Sequence, residues 1–216
     1  MPALTGSRLR NFSVELNRYS LFFPVTPTIR EISFAALDFE SAGERPNEAG
    51  VPVQIGIVWM HDLAVSPDSF YWSYLKASRP VTWRARQIHG ISDEAIRKAP
   101  ELLSLWPELK RRLGGRWMVA HGVGTEKRYL RAFPVHGFGP WIDTLTLSRK
   151  ILPGRSSYAL SDLVGELSLE ADALSLLPDF RWHEALSDAL ASLLLLKKLI
   201  ELGGIADHPA EVLMKR

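Results

Sequence analysis

The run Ile32-Ser33-Phe34-Ala35-Ala36-Leu37 is almost continuously apolar and closes on Asp38-Phe39-Glu40. A strand with one wet face alternates apolar and polar residues. One that is apolar at nearly every position is buried on both faces, in the middle of a sheet. Side chains i and i+2 of a strand share a face, so Asp38 and Glu40 point together, their Cα atoms roughly 7 Å apart. Carboxylates in such a place are costly unless something neutralises them. A divalent cation neutralises two at once, and oxygen donors suit Mg²⁺ or Mn²⁺. The same residues also describe a strand that stops at Leu37 and leaves two solvated acids behind it.

The rest of the chain supplies partners for that strand. Val51–Met60 and Ser69–Leu75 read as a second and third strand, and three strands in succession imply an antiparallel meander. Between the first two, Gly43, Pro46 and Gly50 mark a turn-rich loop. After Pro80 the period changes. Residues 92–98, 102–113, a stretch from near Thr125, 144–151 and 161–167 read as helices, separated by short apolar strands at 117–121 and 141–143. A long amphipathic helix over 183–202 stops at Gly203-Gly204. The order argues an α/β domain over 31–205, a mixed five-stranded sheet flanked by helices, with an N-terminal extension (1–30) and a C-terminal tail (206–216).

Composition narrows the chemistry. The 216 residues contain no cysteine, so disulfides and thiolate chemistry are excluded and any metal must sit on oxygen or imidazole. The first residues lack the apolar core of a signal peptide, and Leu190–Ile200 is too short to span a bilayer, so a soluble cytoplasmic protein is expected. The net charge of +2 does not announce nucleic-acid binding. Basic residues do collect locally: Arg8, Arg10, Arg18 and Arg30 near the start, then Arg84, Arg86, Arg111 and Arg112. Such runs describe a solvated face as well as a phosphate track. Trp83 could stack on a base, and Lys127, Arg128 and Arg131 could flank a cleft.

His183 and Asp188 are five apart, about 140° around a helix. They can meet only if His183 precedes the first helical turn while Asp188 lies inside it. Taken with the other segments, they complete an ordered series. Ala36-Leu37-Asp38-Phe39-Glu40-Ser41, Gln54-Ile55-Gly56-Ile57-Val58, Ile88-His89-Gly90-Ile91-Ser92, Val119-Ala120-His121-Gly122 with Tyr129-Leu130, Ile142-Asp143-Thr144-Leu145 and His183…Asp188-Ala189 resemble the blocks of the DEDD family of 3′–5′ exonucleases. The likeness is to the histidine-containing (DEDDh) branch, which includes RNase T, oligoribonuclease and the proofreading subunit of bacterial DNA polymerase III. It covers roughly residues 31–202. There are departures. The second acidic motif is usually Phe-Asp, and Thr125-Glu126 stands there; Gly122 replaces an Asn, and Ser41 a Thr.

The resemblance implies an RNase H-like fold and hydrolysis of phosphodiesters with two divalent metal ions, Mg²⁺ or Mn²⁺. Asp38, Glu40, Glu126 and Asp188 would be the metal-binding acids, and His183 the general base. Imidazole is the side chain whose ordinary pKa, about 6.5, suits that role near neutrality. Phe39, Ser41, His89, Gly90, Ile91 and Tyr129 would shape the site of the terminal nucleotide. In the family the third acid is thought to reach its metal largely through water, so Glu126 could serve there; Asp143 is the rival, better read as a helix cap. The implied substrate is a single-stranded DNA or RNA 3′ end, and the implied partners include a polymerase or repair protein and a second copy in a homodimer. Two other readings fit: a catalytically impaired nuclease-fold module that binds nucleic acid or a polymerase, and a metallohydrolase of small phosphoesters, which would need a closed pocket.

Overall fold

The computed structural model describes residues 26–214, apart from 47 and 49. Residues 1–25, nearly all of the expected N-terminal extension with Arg8, Arg10 and Arg18, lie outside the described residues. One mixed sheet organises the molecule. Its strands are β1 (Phe34–Ser41), β2 (Pro52–His61), β3 (Ala64–Val65), β4 (Tyr71–Tyr74), β5 (Trp117–Ala120) and β6 (Trp141–Asp143). They run in the order β3-β2-β1-β5-β6, with β4 also on β2. The first strands pair antiparallel, while β1–β5 and β5–β6 are parallel.

The apolar run is therefore central, and its two faces enter different clusters. Phe34 and Ala36, with Val58 and Met60 opposite them, pack under the long helix α8 (Ala185–Gly203) and its neighbours α6 (Leu160–Glu166) and α7 (Glu170–Leu176). Ala35, Leu37 and Phe39 face the other way, against α3 (Trp106–Leu113) and α4 (Gly124–Leu130). Period-2 alternation then sends Asp38 and Glu40 to the α8 face. The anchor on that face is strong. Leu190, Leu193, Leu195, Leu196 and Leu199 of α8 are fully buried, each worth about 1.5–3 kcal/mol relative to exposure.

Among the described residues six strands replace the expected five, because a two-residue strand follows β2. Its turn, Asp62-Leu63, holds both residues at positive φ (48° and 56°), as a two-residue hairpin of type I′ requires. No glycine advertises it, and burial of Leu63 compensates the strain. Two further helices have no counterpart in the sequence reading: α1 (Trp83–His89) and α7. Each buries a single residue, Ala85 and Ala173, too little for a periodic apolar stripe. Thr82 makes α1 possible by accepting the Ala85 amide hydrogen at its N-terminus (3.2 Å). The helix expected over 102–113 is a 3₁₀ turn, Leu102–Leu105, followed by α3, with Pro107 at the start of the α-helical part. That expected at 92–98 is the short α2 (Asp93–Ile96), and that at 144–151 is α5 (Thr144–Ile151). Residues 26–30 and 206–214 come together: Thr28 bridges Pro209, and Ile29, Ala210, Val212 and Leu213 are buried in the α8-side core.

Candidate active site

The carboxyl end of β1 is where the sheet, α4 and α8 converge. Cross-strand register sets Gly56 opposite Asp38 and Gln54 opposite Glu40, so all four residues lie on the α8 face. Gly56 has a steric reason to lack a side chain: a Cβ there would overlap the Ala185 carbonyl and the Leu186 amide. The first turn of α8 thus rests on β2 beside the two acids. Asp188 lies in that turn. His183 sits two residues before the helix, at φ 62°, and its exposed side chain turns back over the acids. The left-handed residue breaks the helical spacing, which is how side chains about 140° apart on a regular helix come to face one site. Ligand atoms of Glu40, His183 and Asp188 all lie within 4.8 Å of one another.

Glu126 enters from the opposite direction. β5 runs parallel to β1 with Val119 beside Ala36, so its carboxyl end delivers α4 next to Asp38. Glu126 is buried in the first turn of α4. Burial is the main cause that raises the pKa of all four acids. Asp38 is held well above the usual carboxylate range, with Asp188, Glu126 and Glu40 adding repulsion. Glu40 is pushed up to about 8 by burial and by Asp188. Glu126 reaches about 7, with Asp143 raising it further and Arg128 opposing. Asp188 also reaches about 7, against the lowering effect of a hydrogen bond from the His183 backbone.

This constellation fits divalent cations. Among the described residues, the buried oxygens Glu126 Oε2 and Asp188 Oδ1 have no hydrogen-bond partner, and buried polar atoms are ordinarily satisfied. The donors are hard carboxylate oxygens with one imidazole at the edge, a set suited to Mg²⁺ or Mn²⁺. Asp143 behaves differently. Its Oδ1 accepts from the Gly122, Leu145 and Thr146 amides, and its Oδ2 from the Thr146 hydroxyl. It caps α5 and ties the β5 loop to it.

A groove of about 530 Å³ opens beside the cluster, lined by Phe39, Glu40, Ser41, Arg84, His89, Arg128 and Tyr129 among others. Phe39 belongs largely to the core and meets Tyr129 edge-on at 5.2 Å. Tyr129 is 7 % exposed, and its hydroxyl has no partner among the described residues. His89 is clamped. The Ile91 amide donates to its Nδ1 (3.0 Å), which leaves the hydrogen on Nε2 to meet the Ser41 carbonyl (3.0 Å). Burial holds its pKa below the usual histidine range, and nearby His183 adds to this. Gly90 and Ile91 do not line the groove. They border a smaller cavity of about 280 Å³ with Gln54, His89 and His183, and Ile91 packs in a small core cluster with Ala42, Val53 and Ala85. Trp83 is 77 % exposed and does not line the groove, whereas Arg84 does. Arg86 pairs with Asp93, Lys127 sits over the Trp141 ring, and Arg128 reaches Glu44 across the groove (3.8 Å). His121 bonds the Thr144 hydroxyl and the Tyr158 carbonyl, which ties it to the fold rather than the site.

Residues 35–196 match the family model of the RNase T exonucleases. The chain belongs to this exonuclease family, an enzyme family of hydrolases. It is 30 % identical over 192 residues to the PolC-type DNA polymerase III of Thermotoga petrophila, a match that takes in 82 % of this chain and 13 % of that protein. The chain thus spans about an eighth of the length of that curated relative. Among solved structures it resembles exonuclease X in complex with 5′-overhanging duplex DNA (TM-score 0.68, 24 % identity, 83 % of this chain and 99 % of that one). It also resembles the nuclease domain of 3′hExo, a DEDDh family member, bound to rAMP (TM-score 0.65, 14 % identity, 81 % and 94 %). These likenesses show the fold, the RNase H-like exonuclease fold anticipated from the ordered blocks.

Sequence reasoning gave no role to Gln54 or Gly56. The available signal was a lone glutamine and a glycine two apart, on one face of an otherwise apolar strand. Among the described residues, no helix is long and apolar enough to cross a membrane.

Proposed function

We propose that this chain is a 3′–5′ exonuclease that hydrolyses the terminal phosphodiester of single-stranded DNA or RNA with Mg²⁺ or Mn²⁺ as cofactor. The observation that carries the reading is the meeting of Asp38, Glu40, Glu126, Asp188 and His183 at the edge of an aromatic, arginine-bearing groove. Asp38, Glu40 and Asp188 would hold the principal cation, with Asp38 and Glu126 serving a second. Divalent cations at such a site stabilise charge on the attacking and leaving oxygens of an in-line displacement. His183 takes the proton from the attacking water, and its exposed place before α8 leaves it free to pass that proton to solvent. Phe39 and Tyr129 present the wall for the last base, and the Ser41 segment, held by His89, faces the terminal sugar. Gly90 and Ile91 fix the turn that carries His89. Arg84 and Arg128 offer charge to the phosphates.

A groove, rather than a closed pocket, favours an oligonucleotide over a small phosphoester. The 30 % identity to a PolC-type DNA polymerase III makes a polymerase or repair partner part of this reading, and a homodimer is compatible with it. The test is incubation with 5′-labelled single-stranded DNA and RNA 20-mers in Mn²⁺, Mg²⁺ or EDTA, beside His183→Ala. A metal-dependent ladder shortening from the 3′ end, lost in the variant, is expected. Intact oligonucleotides with folded protein would sink the reading and leave a nucleic-acid-binding module.

A further inference from the structure

The first turn of α8 carries both Asp188 and the backbone that aims His183, yet its own N-cap residue does not hold it: Glu184 makes no side-chain capping bond. The first helical amide would be orphaned in a buried place, which is costly. Gln54 supplies the missing acceptor. From β2, 131 residues away in sequence, its Oε1 accepts the Ala185 amide hydrogen at 3.0 Å, and the side chain is only 2 % exposed. Gln54 lies opposite Glu40, and Gly56 opposite Asp38, on the same face. One strand therefore touches both halves of the cluster. Its pairing with β1 locates Asp38 and Glu40, and its glutamine locates the turn bearing His183 and Asp188. Gly56 allows the close approach, and Gln54 fixes where along the strand the helix begins.

We infer that Gln54 is a positioning residue that sets the His183–Asp188 turn against the β1 carboxylates through its bond to the Ala185 amide. The inference rests on the exonuclease reading for its catalytic consequence but not for the contact itself. A residue that acts through another affects turnover through geometry, and displacement of a catalytic group by about 1 Å can cost about 100-fold. Loss of an orienting partner behind a metal site typically costs about 10- to 100-fold.

Two variants of the full chain separate this role from packing. Gln54→Met keeps the volume and removes the acceptor, while Gln54→Glu keeps an acceptor oxygen at the same reach. Steady-state cleavage of a 5′-labelled single-stranded oligonucleotide with Mn²⁺ gives kcat and KM, and amide hydrogen exchange over 183–188 reports the turn directly. In Gln54→Met we expect kcat to fall about 10- to 100-fold with KM within about threefold. The Ala185 amide should exchange about fivefold faster, as loss of one net hydrogen bond allows, while β1 and β2 amides stay protected. Gln54→Glu should restore slow exchange at Ala185, whatever the added carboxyl does to turnover opposite Glu40. Wild-type turnover in Gln54→Met, unchanged exchange at Ala185 in that variant, or equally fast exchange in both variants overturns the inference. If the wild-type chain cleaves nothing, the exonuclease reading falls, and unchanged exchange at Ala185 in Gln54→Met still overturns the positioning role by itself.

Discussion

Asp143 ends β6, Glu126 lies six residues beyond the end of the neighbouring parallel strand β5, and the two acids have opposite fates. Asp143 spends both oxygens on the Gly122, Leu145 and Thr146 amides and the Thr146 hydroxyl. Glu126 leaves Oε2 buried and without a partner among the described residues, with its pKa pushed up to about 7. An acid whose lone pairs are filled by its own backbone is part of the fold. An acid left unsatisfied among three others is strained in the free protein and suited to a cation. The difference is set by what each strand leads into. β6 runs straight into α5, whose free amides fall on Asp143. β5 is followed by the Gly122 turn before α4 begins, so Glu126 rides on the helix and faces inward, toward Asp38.

Removal of an acid on the cluster side should have the largest effect. Asp38→Ala is expected to lower metal-dependent cleavage by about 1000-fold or more, since metal charge stabilisation is worth several kcal/mol. Circular dichroism and melting should show the fold intact, and full residual activity would remove Asp38 from the site. His183→Ala should cost about 10²- to 10⁴-fold in kcat, the range for a general base; a kcat within a factor of two would leave that role vacant. Between the two contrasted acids, Glu126→Ala should reduce kcat far more than Asp143→Asn. Asp143→Ala should instead lower stability by about 1 kcal/mol through the lost cap. The reverse order would transfer the third-acid role to Asp143.

A pH titration of stability sharpens the contrast without any substrate. Asp38, Glu40, Glu126 and Asp188 have folded-state pKa values raised above the ordinary carboxylate range. The folded state then binds more protons than the unfolded one, so stability falls as pH rises. In EDTA, Tm should be highest near pH 4 to 5 and decline toward pH 8, through the values near 7 and 8 of Glu126, Asp188 and Glu40. Mn²⁺ should recover the loss at pH 8, and Asp38→Asn should flatten the profile. A Tm that rises over this window would contradict the strained cluster. The smallest effect belongs to the groove. Tyr129→Phe removes a buried hydroxyl that has no partner among the described residues, so Tm should hold or rise slightly. KM for an oligonucleotide should rise by about 2- to 10-fold if that hydroxyl meets the terminal nucleotide, a loss of about 0.5–1.5 kcal/mol.

Much of this was legible along the chain, because β1 is periodic in a way that admits few alternatives. Apolar residues on both faces made it central, and the period of two put Asp38 and Glu40 on one side. The requirement that His183 precede the helix while Asp188 lies inside it followed from helical geometry alone. The Asp143 cap was readable for a similar reason, since an aspartate immediately before a helix has local amides to satisfy it. Elements with little local signal were not readable: α1 and α7 bury one alanine each, and the Asp62-Leu63 turn lacks a glycine.

Residue type and short-range spacing were enough to read the central strand, and the ordered motif blocks were enough for the family, while the third acid stayed open between Glu126 and Asp143. Three features came from the folded arrangement alone: Glu126 Oε2 is buried without a partner among the described residues, His89 is clamped to Ser41, and Gln54 bonds the start of α8. Each of these depends on groups brought together by sheet register and by helix docking over a glycine. Such contacts span 48 residues for His89 and 131 for Gln54, and no local pattern records which distant amide or carbonyl a side chain will meet.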